Sequence, residues 1–143
     1  MSTQRTESNI DVAILLRRAQ LRKQLACEAA LSVIALTLPQ WGILHTAAAH
    51  RDQSTHALAL LTGQSDQSAG AVVAGLEKRV LLERFSAGGR AILHRLTPAG
   101  SRLVTRADRI VDDVMQEELG RLTDEELKTL RRLLGRIVES AER

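Results

Sequence analysis

The fold of this chain is decided by the stretch LEKRVLLERFSAGGRAILHRLTPAG, which runs from Leu76 to Gly100. A helix is predicted to end there at the basic pair Lys78–Arg79, and a short apolar strand follows it. The Gly88-Gly89 tip and the apolar runs on both sides of it predict a β-hairpin whose second strand spans Ala91 to Leu96. Arg90 lies just beyond the tip. A helix that leads into a small hairpin with an arginine at its tip is the outline of a winged helix.

Two short helices complete a helix-turn-helix. The first is predicted over Ser54–Leu61 and the second over Asp66–Arg79, with Thr62-Gly63-Gln64 as the turn between them. Glycine is a favoured helix C-cap and serine a favoured N-cap, so Gly63 and Ser65 define the helix ends at this turn. The helix lengths and the short turn with a glycine are typical of a helix-turn-helix.

The second of these helices has two contrasting faces. Its buried face is predicted from apolar residues at positions i, i+3, i+4 and i+7. These are Ala69, Val72, Val73 and Leu76. The opposite face is small and polar, so another surface, such as the major groove of DNA, can approach the helix backbone closely. It carries Gln67, Ala71, Ala74 and Lys78, flanked by Ser68, Gly70 and Gly75.

Long apolar-striped helices are predicted at both ends of the chain. Residues 1–8 are interpreted as a frayed tail. A helix is predicted from about Asn9 to near Leu38, because Pro39 disfavours helical geometry in the residue before it and can itself begin the next helix. Thr97-Pro98 starts another helix as N-cap and first helical residue.

The last helix is predicted from the capping box Thr123–Glu126. It carries a continuous apolar stripe of Leu127, Leu130, Leu134, Ile137 and Val138. The terminal helices are longer than a compact winged helix needs, so their stripes need a partner, for which a second copy of the chain is the economical choice.

The predicted fold class is therefore mainly α (α+β): a winged helix-turn-helix with a small β-hairpin wing and long N- and C-terminal dimerisation helices. We divide this one continuous domain into three parts. Residues 9–38 form an N-terminal dimerisation helix, residues 39–97 a winged helix-turn-helix DNA-binding lobe, and residues 98–143 the C-terminal dimerisation helices.

The composition argues against several other classes of protein. The 143 residues carry a formal net charge of +3, which permits a phosphate-binding face without demanding one. Trp41 and Phe85 are the only Trp, Tyr or Phe residues, which argues against stacking on single-stranded bases. The lone Cys27 excludes an intrachain disulfide framework and fits a reducing cytoplasm. The N-terminus lacks the apolar core of a signal peptide, and no apolar run is suited to a bilayer, so no membrane partner is expected.

The sequence contains no catalytic motif, so we expect neither an enzyme nor a cofactor. A Gly-rich phosphate loop, a nucleophile elbow and a metalloprotease helix motif are all missing from it. The histidines at 45, 50, 56 and 94 form no known metal-ligand spacing, so no metal is expected. Cys27 lies on an apolar stripe, which favours core packing over redox sensing.

From about Asp11 to Val138 the chain resembles the MarR family of bacterial transcription regulators. The resemblance lies in the order and spacing of LTLPQW (36–41), LLTGQSDQSAGAVVAGLEKR (60–79), LLERF (81–85), GRAILHRLTPAG (89–100) and LTDEEL (122–127). It implies a homodimer held by its end helices, with the recognition helix Asp66–Arg79 in a major groove and the wing Phe85–Ala91 in an adjacent minor groove. It also implies a palindromic double-stranded operator, and in many members a small aromatic effector that releases the DNA.

The resemblance and the residue chemistry together nominate specific residues. We expect contacts with DNA from Ser65, Gln67, Ser68, Gly70, Ala71, Lys78, Arg84 and Arg90. Glutamine can bond bidentately to adenine, and arginine gains from the negative potential of a narrow minor groove. Arg79 and Arg95 are further candidates for contacts with phosphate. Trp41 and His45, one helical turn apart, either line an effector pocket or pack the junction between lobes.

The expectation is a cytoplasmic, ligand-responsive homodimeric repressor that binds double-stranded DNA sequence-specifically. Family members often carry arginine or charged residues where this chain has Ala71, Ala74 and Gly75, and an aspartate where it has Gly88. Because this helix face has few charged side chains, an alternative stays open. The protein could be a protein-interaction module that has a winged-helix fold and has lost operator binding. A small-molecule-binding or enzymatic protein would need a convergent set of titratable residues, which the sequence does not offer.

Overall fold

The structure, a computed structural model, describes residues 2–86 and 88–141, of whose side chains those of 9–86 and 88–139 are described. Helices dominate this part of the chain, and a single antiparallel hairpin interrupts them. In chain order the elements are α1 Ser2–Leu31, a 3₁₀ helix Ser32–Ile34, α2 Leu38–Ala49, α3 Thr55–Thr62, α4 Asp66–Lys78, β1 Leu82–Ser86, β2 Ile92–Leu96, α5 Pro98–Glu118 and α6 Asp124–Ala141. This order confirms the predicted fold class.

The first helix differs from the prediction at both ends. It begins at Ser2 and not near Asn9, because the run from Ser2 to Leu31 contains neither glycine nor proline to interrupt the helix. Its predicted end near Leu38 is also wrong. The helix stops at Leu31, and the chain then turns through the 3₁₀ helix into Ala35, whose φ of 54° is left-handed.

The start of α2 is fixed by a capping box of its own. Thr37 accepts a hydrogen bond from the Gln40 amide over 3.2 Å, and the Gln40 side chain accepts one from the Thr37 amide over 3.0 Å. This capping box fixes Leu38 as the first residue of α2. Pro39 is tolerated in the first turn of α2, where its missing N–H has no helical partner in any case.

Both helices of the helix-turn-helix begin at a serine N-cap, as predicted for Ser65. Ser54 accepts a hydrogen bond from the Ala57 amide and Ser65 one from the Ser68 amide, each over 3.1 Å. Gly63 ends α3 with a φ of 70°, a left-handed value that glycine adopts without a steric penalty. The predicted bounds of α3 and α4 agree with the structure to within one residue at each end.

The hairpin pairs Leu82 with Leu96 and Ser86 with Ile92, so its second strand begins one residue later than predicted. Gly88 and Gly89 both have positive φ in the loop between the strands, which explains the two glycines there. The chain then enters α5 at Thr97, whose side chain caps α5 by accepting a hydrogen bond from the Gly100 amide over 3.0 Å.

One hydrophobic core joins α1 to the winged helix-turn-helix lobe (residues 39–97), called the reading lobe below. Cys27 and Leu31 on α1 are fully buried, together with Leu44 on α2, Leu76 on α4 and Ala107 on α5. Cys27 therefore packs in the core, and this burial raises the pKa of its thiol, so little reactive thiolate forms near neutral pH.

The two ends of the chain are less enclosed. The α5–α6 turn ends in the predicted capping box, in which Thr123 and Glu126 exchange hydrogen bonds of 3.0 and 3.2 Å, and α6 then extends with little contact to the other described elements. Among the described helices no single one is long and apolar enough to cross a membrane. By length and composition alone, the pair Asn9–Ile34 and Leu38–Ala49, bent by 78°, would pass such a test.

Candidate nucleic-acid interface

Helix α4 presents the face that the sequence predicts. Ala69, Val73 and Leu76 are buried and Val72 is half-buried, so the apolar side packs on the lobe. On the other side the residues are exposed except Gly70, which is half-buried: Ser65, Gln67, Ser68, Gly70, Ala71, Ala74 and Lys78. Because three of these seven are Gly or Ala, a surface that approaches α4 meets backbone as well as side chains.

The N-terminal end of α4 is the more polar end. The Ser65 hydroxyl oxygen accepts a hydrogen bond from the Ser68 amide, so this hydroxyl is already engaged as the N-cap of α4. Asp66 lies 2.8 Å from Nδ1 of His56 on α3, which joins the two helices of the motif at the surface. Gln67 makes no side-chain hydrogen bond to the residues that the structure describes, so its amide is available to an outside partner.

The hairpin carries Arg84 and Arg90, and Arg84 lines a groove together with Gly70 and Ala74 of α4. Both arginines are exposed, and neither forms an ion pair with any residue in the described ranges. Ala87, which the predicted wing Phe85–Ala91 includes, lies outside the described residues. On α4 and the hairpin, the positive charge without an ion pair to the described residues includes Arg84, Arg90 and Lys78.

Two other arginines that the sequence nominated for phosphate are engaged within the chain. Arg79 donates from Nη1 to the carbonyl of Ala35 over 2.7 Å, which satisfies the end of the 3₁₀ helix. The Arg95 guanidinium lies 3.7 Å from the centre of the Phe85 ring and 3.5 Å from Asp52 Oδ1. Both guanidinium groups are therefore engaged in contacts within the chain.

An open groove of about 200 Å³ separates α4 from the hairpin. Gly70, Ala74 and Glu77 line it from α4, and Arg84 and His94 line it from the strands. The groove therefore lies between the two elements that we expect to contact DNA, with a carboxylate on one wall and a guanidinium on the other.

The sequence predicts no role for His94 at this groove, because His94 is a candidate only for metal binding. It is 3% exposed, with Nε2 at 2.9 Å from the Thr55 hydroxyl and Nδ1 at 3.1 Å from Glu77 Oε1, although the latter contact lacks the angle of a hydrogen bond. Burial lowers the pKa of His94. Glu77 opposes this shift, and Arg84 adds to it. The one local sign that His94 is buried is its position in β2, where it shares a strand face with the apolar residues Ile92 and Leu96.

A second polar cluster joins α2 to α5. The Trp41 Nε1–H donates to Asp108 Oδ1 over 2.8 Å, and His45 Nδ1 contacts the same oxygen at 2.9 Å. The Trp41 and His45 rings lie 5.3 Å apart, centre to centre. The two predicted residues are thus together, and Asp108, which the sequence did not single out, is their common partner. In the described parts of the chain no three His, Cys, Asp or Glu side chains are grouped to hold a metal ion.

Comparison with known proteins gives matches to solved structures only, since no protein-family model matches the sequence and no curated protein matches it either. A MarR-family transcriptional regulator from Rhodococcus sp. RHA1 superposes with a TM-score of 0.85 at 24% identity, over 91% of this chain and 94% of the other. A MarR mutant from E. coli in complex with operator DNA has a TM-score of 0.80 at 21% identity, over 91% and 95% of the two chains. These two similarities establish the fold.

A third structure is more similar in sequence. It is a MarR family protein of Mycobacterium tuberculosis in complex with salicylic acid, with a TM-score of 0.72 at 28% identity, over 86% of this chain and 93% of the other. The same M. tuberculosis protein has also been solved with DNA, at a TM-score of 0.71 and 26% identity. These similarities extend over nearly the whole chain and agree with the architecture described above, so the chain is similar to MarR-family transcriptional regulators in fold and, at 26–28% identity, in sequence.

Proposed function

We propose that this protein is a homodimeric transcription regulator that binds double-stranded DNA sequence-specifically and acts as a repressor. The observation that carries the proposal is the exposed face of α4, small and polar, next to a hairpin with two arginines that make no ion pair within the described chain. The relatives from E. coli and M. tuberculosis that have been solved with DNA support it.

Each candidate residue has a distinct role in this proposal. Gln67 and Ser68 read base edges in the major groove, because an amide and a hydroxyl can both donate and accept hydrogen bonds there. Gly70 and Ala71 let the α4 backbone approach the bases, and Ser65 holds the first turn. Lys78 and Arg84 contact phosphate, and Arg90 enters the minor groove, where arginine gains from the narrow, negative channel.

The second copy of the chain covers the apolar surface of the end helices. Leu21 and Leu25 on α1, and Leu133, Leu134 and Val138 on α6, are exposed. Cys27 and Leu31, on the other side of α1, already pack into the chain's own core, so α1 is apolar on two sides. We therefore assign residues 9–38 and 98–143 to dimerisation and residues 39–97 to the reading lobe. Two lobes on a twofold axis match an approximately palindromic operator.

We place the effector site at the Trp41–His45–Asp108 cluster. It joins the reading lobe to α5, and the relative from M. tuberculosis binds salicylic acid. An aromatic ring with a polar substituent would stack on Trp41 and compete for the hydrogen bonds to Asp108. A ligand that favours a different separation of the two lobes shifts the population away from the DNA-binding state. The protein works in the cytoplasm, beside the chromosome, without catalysing a reaction.

The experiment that tests this function is selection of bound sequences from random double-stranded DNA, followed by titration of the enriched sequence. We expect enrichment of an inverted repeat whose half-sites lie about one helical turn apart, and binding that weakens with salt. A scrambled sequence of the same length is the control. No enrichment, or equal affinity for both sequences, would overturn the proposal and favour the protein-interaction module instead.

A further inference from the structure

We infer that His94 is a positioning residue that holds the wing against the recognition helix α4 and so places Arg84 for DNA. This inference rests on the proposed function for its consequence at DNA, although the contact that it describes belongs to the folded chain alone. His94 touches no DNA in this account, because it is 3% exposed at the base of the groove between α4 and the hairpin.

The strand β2 and the two helices α3 and α4 meet at His94. Its backbone N–H donates to the carbonyl of Gln53, just before α3, over 2.9 Å. Its Nε2 lies 2.9 Å from the hydroxyl of Thr55, the first residue of α3, and its Nδ1 lies 3.1 Å from Glu77, in the last turn of α4. One side chain therefore connects the strand β2 to both helices of the helix-turn-helix.

The same residue fixes the position of Arg84. Arg84 is the cross-strand partner of His94 in the hairpin register, so any shift of β2 relative to α4 carries Arg84 with it. Arg84, Glu77 and His94 also line the same groove. The distance between the α4 face and the Arg84 guanidinium is therefore set by the packing of His94.

The charged groups around the imidazole explain which form it takes. Glu77 on α4 faces it with a negative charge and Arg84 on β1 with a positive one, while the Thr55 hydroxyl on α3 can either donate or accept. Glu77 favours a proton on Nδ1, which leaves Nε2 to accept from Thr55 in the neutral ring. Burial favours this neutral form and lowers the pKa of His94, so protonation in acid loosens the junction.

The first test needs no DNA. Backbone amide NMR spectra of the full-length protein are recorded from pH 8 to pH 5 for the native chain and for His94→Gln. We expect the amides of β1, β2 and the last turn of α4 to shift together, with a midpoint below pH 6.5, in the native protein and not in the variant. His50→Gln, which removes an exposed histidine, is the control and should leave these shifts unchanged. Wing amides that do not follow pH, or that follow it equally in His94→Gln, would overturn the inference.

The second test measures binding to the selected operator at pH 7.5, well below the unfolding temperature of every variant. We expect His94→Val to weaken binding about tenfold, equivalent to about 1.4 kcal/mol, and His94→Gln to restore most of the loss because its amide can reach Thr55. In an Arg84→Ala background His94→Val should have little further effect, since coupled residues are not additive. Equal losses in both backgrounds would show that His94 does not act through Arg84. If no DNA is selected at all, the proposed function fails, and the amide shifts alone decide whether His94 holds the wing.

Discussion

Gly100, in the first turn of α5, packs closely against the backbone of Leu81. A Cβ atom on this residue would collide with the carbonyl oxygen of Leu81 and would lie 3.3 Å from Leu96. The Leu81 carbonyl cannot move away, because it accepts the Thr97 amide at 3.1 Å. Gly75 on α4 offers the contrast, since a Cβ there meets nothing within 4 Å.

The two glycines should therefore respond to alanine with opposite signs. Gly100→Ala should lower the free energy of unfolding by about 1–3 kcal/mol, the usual penalty for overpacking. Gly75→Ala should raise it by up to about 1 kcal/mol, because alanine is the better helix former. Urea unfolding monitored by circular dichroism measures both. A Gly100→Ala protein as stable as the native one would show that α5 does not pack on Leu81 this closely.

Gln67 carries the clearest base-reading chemistry on α4. Gln67→Ala should relax the preference at one operator position by about 1–3 kcal/mol, because the bidentate contact with adenine is lost. Its affinity for unrelated DNA should hardly change, since phosphate contacts do not depend on this side chain. A repeat of the selection with the variant measures this. An unchanged preference in Gln67→Ala would remove Gln67 from the reading face.

Local chemistry explains which residues could be read from the sequence. The caps at Ser54, Ser65 and Thr97 were predictable, because each bonds an amide only three residues away. His94 and Asp108 were not, since the partners Thr55 and Trp41 lie 39 and 67 residues away. No pattern along the chain reports such a contact.

At the scale of elements, the wing is the part of the lobe whose role depends most on charge. Arg90 follows Gly88 and Gly89, whose positive φ values turn the strand back and leave the arginine exposed. Arg90→Ala should weaken operator binding and lower the slope of log affinity against log salt by about one, if it meets the backbone. Arg121→Ala, in the exposed α5–α6 turn, is the matched control. Unchanged affinity and slope in Arg90→Ala would exclude the wing from the interface.

The boundary between α1 and α2 shows what an element-level rule misses. Proline at 39 predicts a helix end just before it, yet α1 already ends at Leu31, and the Thr37–Gln40 capping box starts α2 at Leu38, before the proline. The intervening turn is stabilised from elsewhere in the fold, since Arg79 bonds the carbonyl of Ala35, 44 residues away. The spacing of apolar residues and the positions of glycine and proline predict the number and type of the helices. The position of this turn also depends on side-chain contacts between residues that are distant in sequence.

At the scale of the whole molecule, most of the exposed large hydrophobic side chains in the described residues lie on the end helices. Leu25 on α1 is 62% exposed and Val138 on α6 is 58% exposed, while the core of the lobe is closed around Leu76 and Leu31. Burial of apolar surface is the main favourable term in association. Two copies that pack these helices together would therefore gain the free energy of burying side chains that the single chain leaves exposed to water. A dimer would also couple the two lobes, because binding of one lobe would raise the effective concentration of the other at the second half-site.

Charges on α6 should therefore separate the copies. Leu134→Glu combined with Val138→Glu should convert the protein from a dimer to a monomer, measured by light scattering after size exclusion, because each carboxylate would be buried without a partner. Operator affinity should fall with it, while the circular dichroism spectrum shows whether the separated chain stays folded. Leu60→Glu on α3, which is 68% exposed but lies in the reading lobe, should leave the dimer intact. A native protein that is already monomeric at the concentration at which it binds DNA would contradict the dimer, and with it the reading of a palindrome by paired lobes.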